Sequence, residues 1–177
     1  MLPWVASLPA APRKCHYNLG MDLEALREQS GLRLDREGRF WHRGGLVEHA
    51  RTLAVLHQGL HRAPDGRWAT RIGREWGYVE VEDTALWVRR IEPDGARLRG
   101  QLASGAWVAI DPATLALGEG DSLYVRVNGE RARLTRAAQL SLSAYLIEDR
   151  GSFLLDLSGA RYLIGRDAGP EPRRPAP

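Results

Sequence analysis

Phe40-Trp41-His42-Arg43-Gly44-Gly45, followed by an apolar periodic run over 46–61 and then Gly66-Arg67-Trp68, decides the fold of this chain. The same order returns as Leu123-Tyr124-Val125-Arg126-Val127-Asn128-Gly129, a periodic run over 135–146, and Gly151-Ser152-Phe153. In each pass a strand ends on glycine and a helix follows. A glycine-aromatic step then opens a strand pair, 69–72 with 78–82 in the first and 154–157 with 162–164 in the second. One such unit has a single apolar face and cannot bury it alone, so two copies are expected to pack around a shared core. The expected fold class is α+β: two tandem related β-meander halves with one helix each. The divisions read as an N-terminal arm and short helix over 1–30, a first half over 31–92, a second half over 93–167 and a disordered tail over 168–177.

The local signals agree with that plan. Asp22 sits at a cap position before Leu23-Glu24-Ala25-Leu26-Arg27-Glu28, and Ser30-Gly31 closes the short helix. Residues 32–35 alternate at period two, and Asp35-Arg36-Glu37-Gly38 is a turn into the strand 39–43. Leu46, Ala50, Leu53, His57 and Leu60 recur at helical spacing, and Ala63-Pro64-Asp65-Gly66 stops that run. A strand over 85–91 ends at Pro93-Asp94-Gly95, which reads as the seam between halves. Residues 97–102 and 106–110 form a hairpin, and 111–121 a loop. In the second helix Leu134, Ala138, Leu142 and Tyr145 share a face, with Thr135 as the cap.

At 177 residues the chain is long enough to bury a stable interior without metals or disulfides, and its lone Cys15 forms no internal bridge. A cytoplasmic location is the default expectation. The apolar stretch 2–11 is broken by Pro3 and Pro9, which fits neither a signal peptide nor a membrane span. Lys and Arg number 25 against 22 Asp and Glu, and Lys14 is the single lysine. Acids are interspersed with those arginines, so the focused basic face of a nucleic-acid binder is missing.

No catalytic spacing stands out. His57 and His61 lie four apart, with His49 and His42 upstream, but no third ligand has a fixed spacing, and His57 falls in the apolar stripe. A hydrogen-bonded core histidine is the simpler reading, and no metal or cofactor is expected. Glu80 and Glu82 share one strand face as solvated residues. Ser141, Ser143, Ser152 and Ser158 lack a nucleophile-elbow setting. Trp41, Trp68, Trp76, Trp87 and Trp107 fall in strands or their turns, where most should be core, while Trp4 lies in the arm.

Two groups carry the binding hypothesis. Trp76 with Arg71, Arg74 and Tyr78 borders a groove able to take an anionic or planar ligand through cation–π and bidentate contacts. Arg126, Arg133 and Arg136 flank Asn128-Gly129 and would converge on a carboxylate or phosphate if the strand and helix meet there.

Gly38-x-x-Trp41-x-x-Gly44, Asp65-Gly66-Arg67-Trp68, Tyr78-Val79-Glu80-Val81-Glu82-Asp83 and Tyr124-Val125-Arg126-Val127-x-Gly129, with Ala132-Arg133-Leu134-x-Arg136 after them, occur in an order that resembles a bacterial family, domain-of-unknown-function 1285. The resemblance spans roughly residues 31–165. It implies an α+β fold of two related β-rich halves, each with a helix, and a role in ligand sensing or signalling. The chain departs from the family pattern at Thr70-Arg71, at Gly100-Gln101 and at Asp83-Thr84-Ala85-Leu86.

The expectation is thus a non-enzymatic ligand-binding or regulatory module, with a cleft between the halves or the arginine-bearing helix start as its site. Two alternatives stay open: a small hydrolase-like enzyme using His57 with an acidic partner such as Asp83, and a homo-oligomeric or partner-docking protein with an exposed strand edge.

Overall fold

The computed structural model describes residues 23–169; the readings for the arm, with Trp4, Cys15 and the Asp22 cap, and for residues 170–177 lie outside the described residues. The first half opens with α1 (Leu23–Glu28) and a short meander of β1 (Leu32–Leu34), β2 (Phe40–His42) and β3 (Gly45–Leu46). Then come α2 (Ala50–Gln58) and a second meander, β4 (Leu60–Arg62), β5 (Trp68–Ile72) and β6 (Glu75–Val81). Strand β6 returns beside β1 in parallel, pairing Leu32 with Val79 and Leu34 with Val81, which closes a six-stranded sheet.

The second half starts with an antiparallel meander of β7 (Leu86–Asp94), β8 (Arg97–Leu102) and β9 (Trp107–Ile110). Next are β10 (Ala116–Leu117), β11 (Leu123–Val127), β12 (Glu130–Leu134) and α3 (Arg136–Leu142). After them come β13 (Leu146–Asp149), β14 (Ser152–Leu157), β15 (Ala160–Leu163) and β16 (Gly165–Arg166). The seven-stranded sheet runs β16-β10-β11-β12-β7-β8-β9, and β13 to β15 form a separate three-stranded sheet.

The repeat is visible in this topology. In both halves a three-strand meander leads into a helix and then a second three-strand meander, and the first strand of the unit receives a parallel partner from beyond the helix. Strand β6 itself supplies that partner in the first half, pairing with β1. In the second half the extra strand β16 supplies it, pairing with β10. The meander β7 to β9 stands outside the repeat and extends the second sheet beyond β12. Pro93-Asp94-Gly95 therefore joins two strands within the second sheet, and the chain crosses between sheets at 82–85. Turn chemistry marked a reversal, not a boundary: Val88 and Ile91 of β7 already pack into the second half's interior.

The shared core is also corrected. Leu34, Phe40, Leu56, Val79 and Ala85 form one apolar cluster, while Val88, Leu98, Val125, Leu134, Leu142 and Leu155 belong to another. The register explains the separation. Tyr124 opposes Arg133, Arg126 opposes Arg131, and Arg133 pairs with Trp87, so those five side chains share one face of the second sheet. Val125, Val127, Ala132 and Leu134 take the other face and fill the second cluster. The surface turned toward the first half is thus largely polar.

Both helices are shorter than their periodic runs. Helix α2 covers Ala50–Gln58 instead of 46–61 because His49 caps it, its ring accepting from Thr52 N–H, and Gly59 ends it by donating to Val55 O. Strand β5 seals that end: Thr70 Oγ donates to Leu56 O at 2.8 Å, and a Cβ on Gly59 would lie 2.2 Å from Arg71 O. His61 consequently stands on β4, and the four-residue helical spacing with His57 does not exist. Thr135 caps α3 as expected, accepting from Ala138 N–H, but α3 stops at Leu142 and Tyr145 is exposed. No helix among the described residues is long and apolar enough to cross a membrane.

The halves approach closely where Gly38, at φ +78°, meets the Trp87 indole: a Cβ there would lie 2.6 Å from Cε2 of the ring. Gly38→Ala is expected to cost about 2 kcal/mol, combining overpacking with a left-handed backbone that alanine disfavours. Chemical denaturation of the two proteins checks this, and equal midpoints would refute it.

Candidate inter-half cleft

A cleft of about 690 Å³ opens between the halves. Arg33 and Trp41 from β1 and β2, Arg62 and Trp68 from β4 and β5, and Tyr78 from β6 form one wall; Arg126, Glu130 and Arg131 form the other. The residues 83–85 that link the sheets also line it. Five arginines face four carboxylates, Glu28, Glu80, Asp83 and Glu130, so the cleft has a slight positive excess.

Charge pairing fixes the walls. Arg62 spans the cleft with a bidentate pair to Glu130, Nε to Oε1 at 3.0 Å and an η nitrogen to Oε2 at 2.7 Å. Arg131 pairs with Asp83 and, at 2.7 Å, with Asp167, all three largely buried. Burial opposes the Arg131 charge, but the two carboxylates outweigh it and raise its pKa further. Asp83 Oδ2 also accepts from Tyr124 Oη at 2.9 Å and Arg133 at 3.1 Å. Burial, then the Asp83 contact, raises the Tyr124 phenol above its ordinary value. Tyr78 Oη lies 2.9 Å from Glu24 Oε1 and 3.0 Å from Asp65 Oδ2, and donates its one proton into that pair. Burial and these two acceptors push its pKa up to about 12, so the phenol stays protonated.

Every tryptophan among the described residues carries a guanidinium. Arg62 lies 4.3 Å over Trp68, Arg27 4.2 Å over Trp76, Arg33 5.2 Å over Trp41, Arg133 5.3 Å over Trp87 and Arg99 5.0 Å over Trp107. Only Trp87 is buried, which corrects the expectation that most would be core. On half-covered sheet faces, arginine stacking shields the ring while the charge stays in water.

Of the residues picked out from sequence, Tyr78 and Arg126 line the cleft. Trp76 packs edge-to-face on Tyr78 at 5.2 Å, and Arg71 pairs across the hairpin with Trp76. Arg71 and Arg74 are exposed at that hairpin and do not line the cleft. Arg133 is held by Asp83, Ser122 Oγ at 2.6 Å and Arg36 O at 2.8 Å. Arg136 lines a separate groove beside α3, so Arg126, Arg133 and Arg136 do not converge on one ligand position. Sequence reasoning missed Arg62, Glu130 and Arg131. One signal for Arg131 was present: a two-residue turn at Asn128-Gly129 makes residues 126 and 131 cross-strand partners on one face.

The His57–Asp83 pairing of the enzyme alternative is not formed. His57 is 6% exposed and packs edge-to-face on Phe40 at 4.9 Å, whereas Asp83 is bound by Arg131, Arg133 and Tyr124. His61 is exposed, with Nδ1 2.8 Å from Gly59 O.

No protein-family model matches the chain, and neither does any curated protein. Among solved structures it is similar to a DUF1285 family protein from Silicibacter pomeroyi DSS-3, with a TM-score of 0.61 and 18% identity over 78% of this chain and 81% of that one. It is also similar to a DUF1285 family protein from Shewanella baltica OS155, with a TM-score of 0.49 and 21% identity over 61% of this chain and 86% of that one. The resemblance read from the sequence motifs therefore holds at the level of architecture: this chain has the fold of a DUF1285 family protein.

Proposed function

We propose that the chain is a divergent relative of those proteins and acts inside the cell as a non-enzymatic regulatory module, binding a small planar anion in the inter-half cleft. The observation that carries this reading is that both halves contribute to one cleft, the first half interleaving Arg33 and Arg62 with the rings of Trp41, Trp68 and Tyr78 and the second adding Arg126 and Arg131. Its volume lies within the range of small-molecule sites, roughly 300 to 1,000 Å³. A planar ring stacks on Trp68 or on a guanidinium face, and an anionic substituent meets the arginine excess. Ligand binding at this place would bias how the halves sit, because Arg62–Glu130 already ties one wall to the other.

Thermal-shift and calorimetric titration with aromatic carboxylates and nucleotides test the reading. A ligand present at about 100 times its Kd stabilises the folded chain by about 2.7 kcal/mol, a clear rise in melting temperature. Arg126→Gln should weaken that ligand at least tenfold. Absence of stabilisation by every planar anion, or a shift that survives Arg126→Gln unaltered, would sink it.

A further inference from the structure

We infer that the chain forms a two-fold symmetric homodimer through the groove beside α3. This groove, about 340 Å³, lies on the second half, away from the cleft, and is floored by Leu117, Leu123, Leu146 and Ile164. Two large apolar side chains project from its lining into solvent: Leu140 is 58% exposed and Phe153 50%. Apolar groups concentrated in one groove, in contrast to scattered surface leucines, mark an association surface.

The charges at this groove select the occupant. Asp121 and Arg136 both line it, and among the described residues neither makes an ion pair or a side-chain hydrogen bond. Two opposite, unspent charges flanking one apolar groove make the surface complementary to itself. A two-fold axis through the groove sets Arg136 of each copy against Asp121 of the other and seats each Leu140 in the opposite groove, satisfying both pairs at once. An acidic or a basic partner would satisfy one of these charges and oppose the other.

Sedimentation velocity of the full chain over a range of concentrations tests this. The wild type is expected to sediment as a dimer at micromolar concentration. Arg136→Asp and Asp121→Arg alone should each weaken association at least tenfold, since each sets like charges together twice per dimer. The double reversal should restore it, a recovery that mere misfolding of a variant cannot produce. Leu140→Glu should yield monomer, and Leu163→Glu should leave the dimer intact. The register puts Leu163 with Leu154 on the sheet face opposite Leu155, away from this groove, and it serves as the control. A monomeric wild type at high concentration overturns the inference. So does a dimer indifferent to both single reversals, a double reversal that fails to recover, or dissociation by Leu163→Glu alone.

Discussion

Asp35→Asn is expected to lower the thermal midpoint by roughly 10 °C, taking about 3 kcal/mol at two to four degrees per kcal/mol for a chain of this size. Asp35 is 3% exposed and gathers the whole β1–β2 turn. Its Oδ1 accepts from the backbone N–H of Glu37 at 3.0 Å and of Arg39 at 2.8 Å. Its Oδ2 accepts from Arg39 Nε and from the Trp41 indole, both at 2.8 Å. Asparagine keeps the volume and one acceptor, but its amide nitrogen faces two donors that it cannot receive. Breaking these bonds also frees the turn that seats Gly38 against Trp87, so the damage extends to the contact between halves.

The pH dependence follows from the same bonds. Burial pushes the Asp35 carboxyl up, yet the bonds from Trp41, Arg39 and Glu37 outweigh it and hold the pKa below the ordinary value. Its stabilisation is complete above the ordinary aspartate pKa, near about 4, and is lost as pH falls through the lower folded-state value. The gap between wild type and Asp35→Asn should accordingly stay constant from pH 8 to pH 5 and shrink in stronger acid. Circular dichroism melts across that range decide it; a gap under about 0.5 kcal/mol at pH 7 would refute the assigned role. Glu37→Gln is the control, because its pair with Arg39 at 3.0 Å lies on the exposed surface.

His57 should make the protein acid-labile in a different window. Burial disfavours its imidazolium and the nearby Arg89 charge adds to that, so the folded-state pKa is pushed down to about 4 from 6.5. Between those values the unfolded chain binds a proton that the folded chain refuses. Stability therefore falls as pH drops from about 6.5 to about 4, by about 3 kcal/mol in total. His57→Leu removes the titration and keeps an apolar neighbour for Phe40. The two proteins should melt within a few degrees of each other at pH 7, and the variant should exceed wild type by roughly 10 °C at pH 4. Parallel melting curves across that range would refute it.

Much of this molecule was legible without coordinates. The doubled order of strand, glycine, helix and glycine-aromatic strand follows from periodicity and turn residues, which act within a few positions of each other. The Thr135 cap, the hairpin around Asn128-Gly129 and the turn after Asp35 are of the same local kind. Boundaries shifted where a distant strand intervened. Helix α2 ends four residues before Arg62 because β5 closes on Gly59 and Thr70 reaches Leu56 O, an event no helical periodicity encodes. The cleft was only half visible. Tyr78 and Arg126 stood out by type and place, but Glu130 joins them only because Arg62, far away in the chain, lies opposite it.

Local chemistry in the sequence determined the elements, the tandem repeat and the assignment to α+β, since alternation, capping and turn geometry need only neighbouring residues. The tertiary structure alone decided that the halves keep separate interiors and meet across arginines and carboxylates. The reason is register: one strand pairing places Arg126, Arg131 and Arg133 on the face turned to the first half and sends Val125, Val127 and Leu134 into the second cluster. A shift of one residue would exchange those faces, and nothing in the spacing of apolar residues says which of them looks toward the other half.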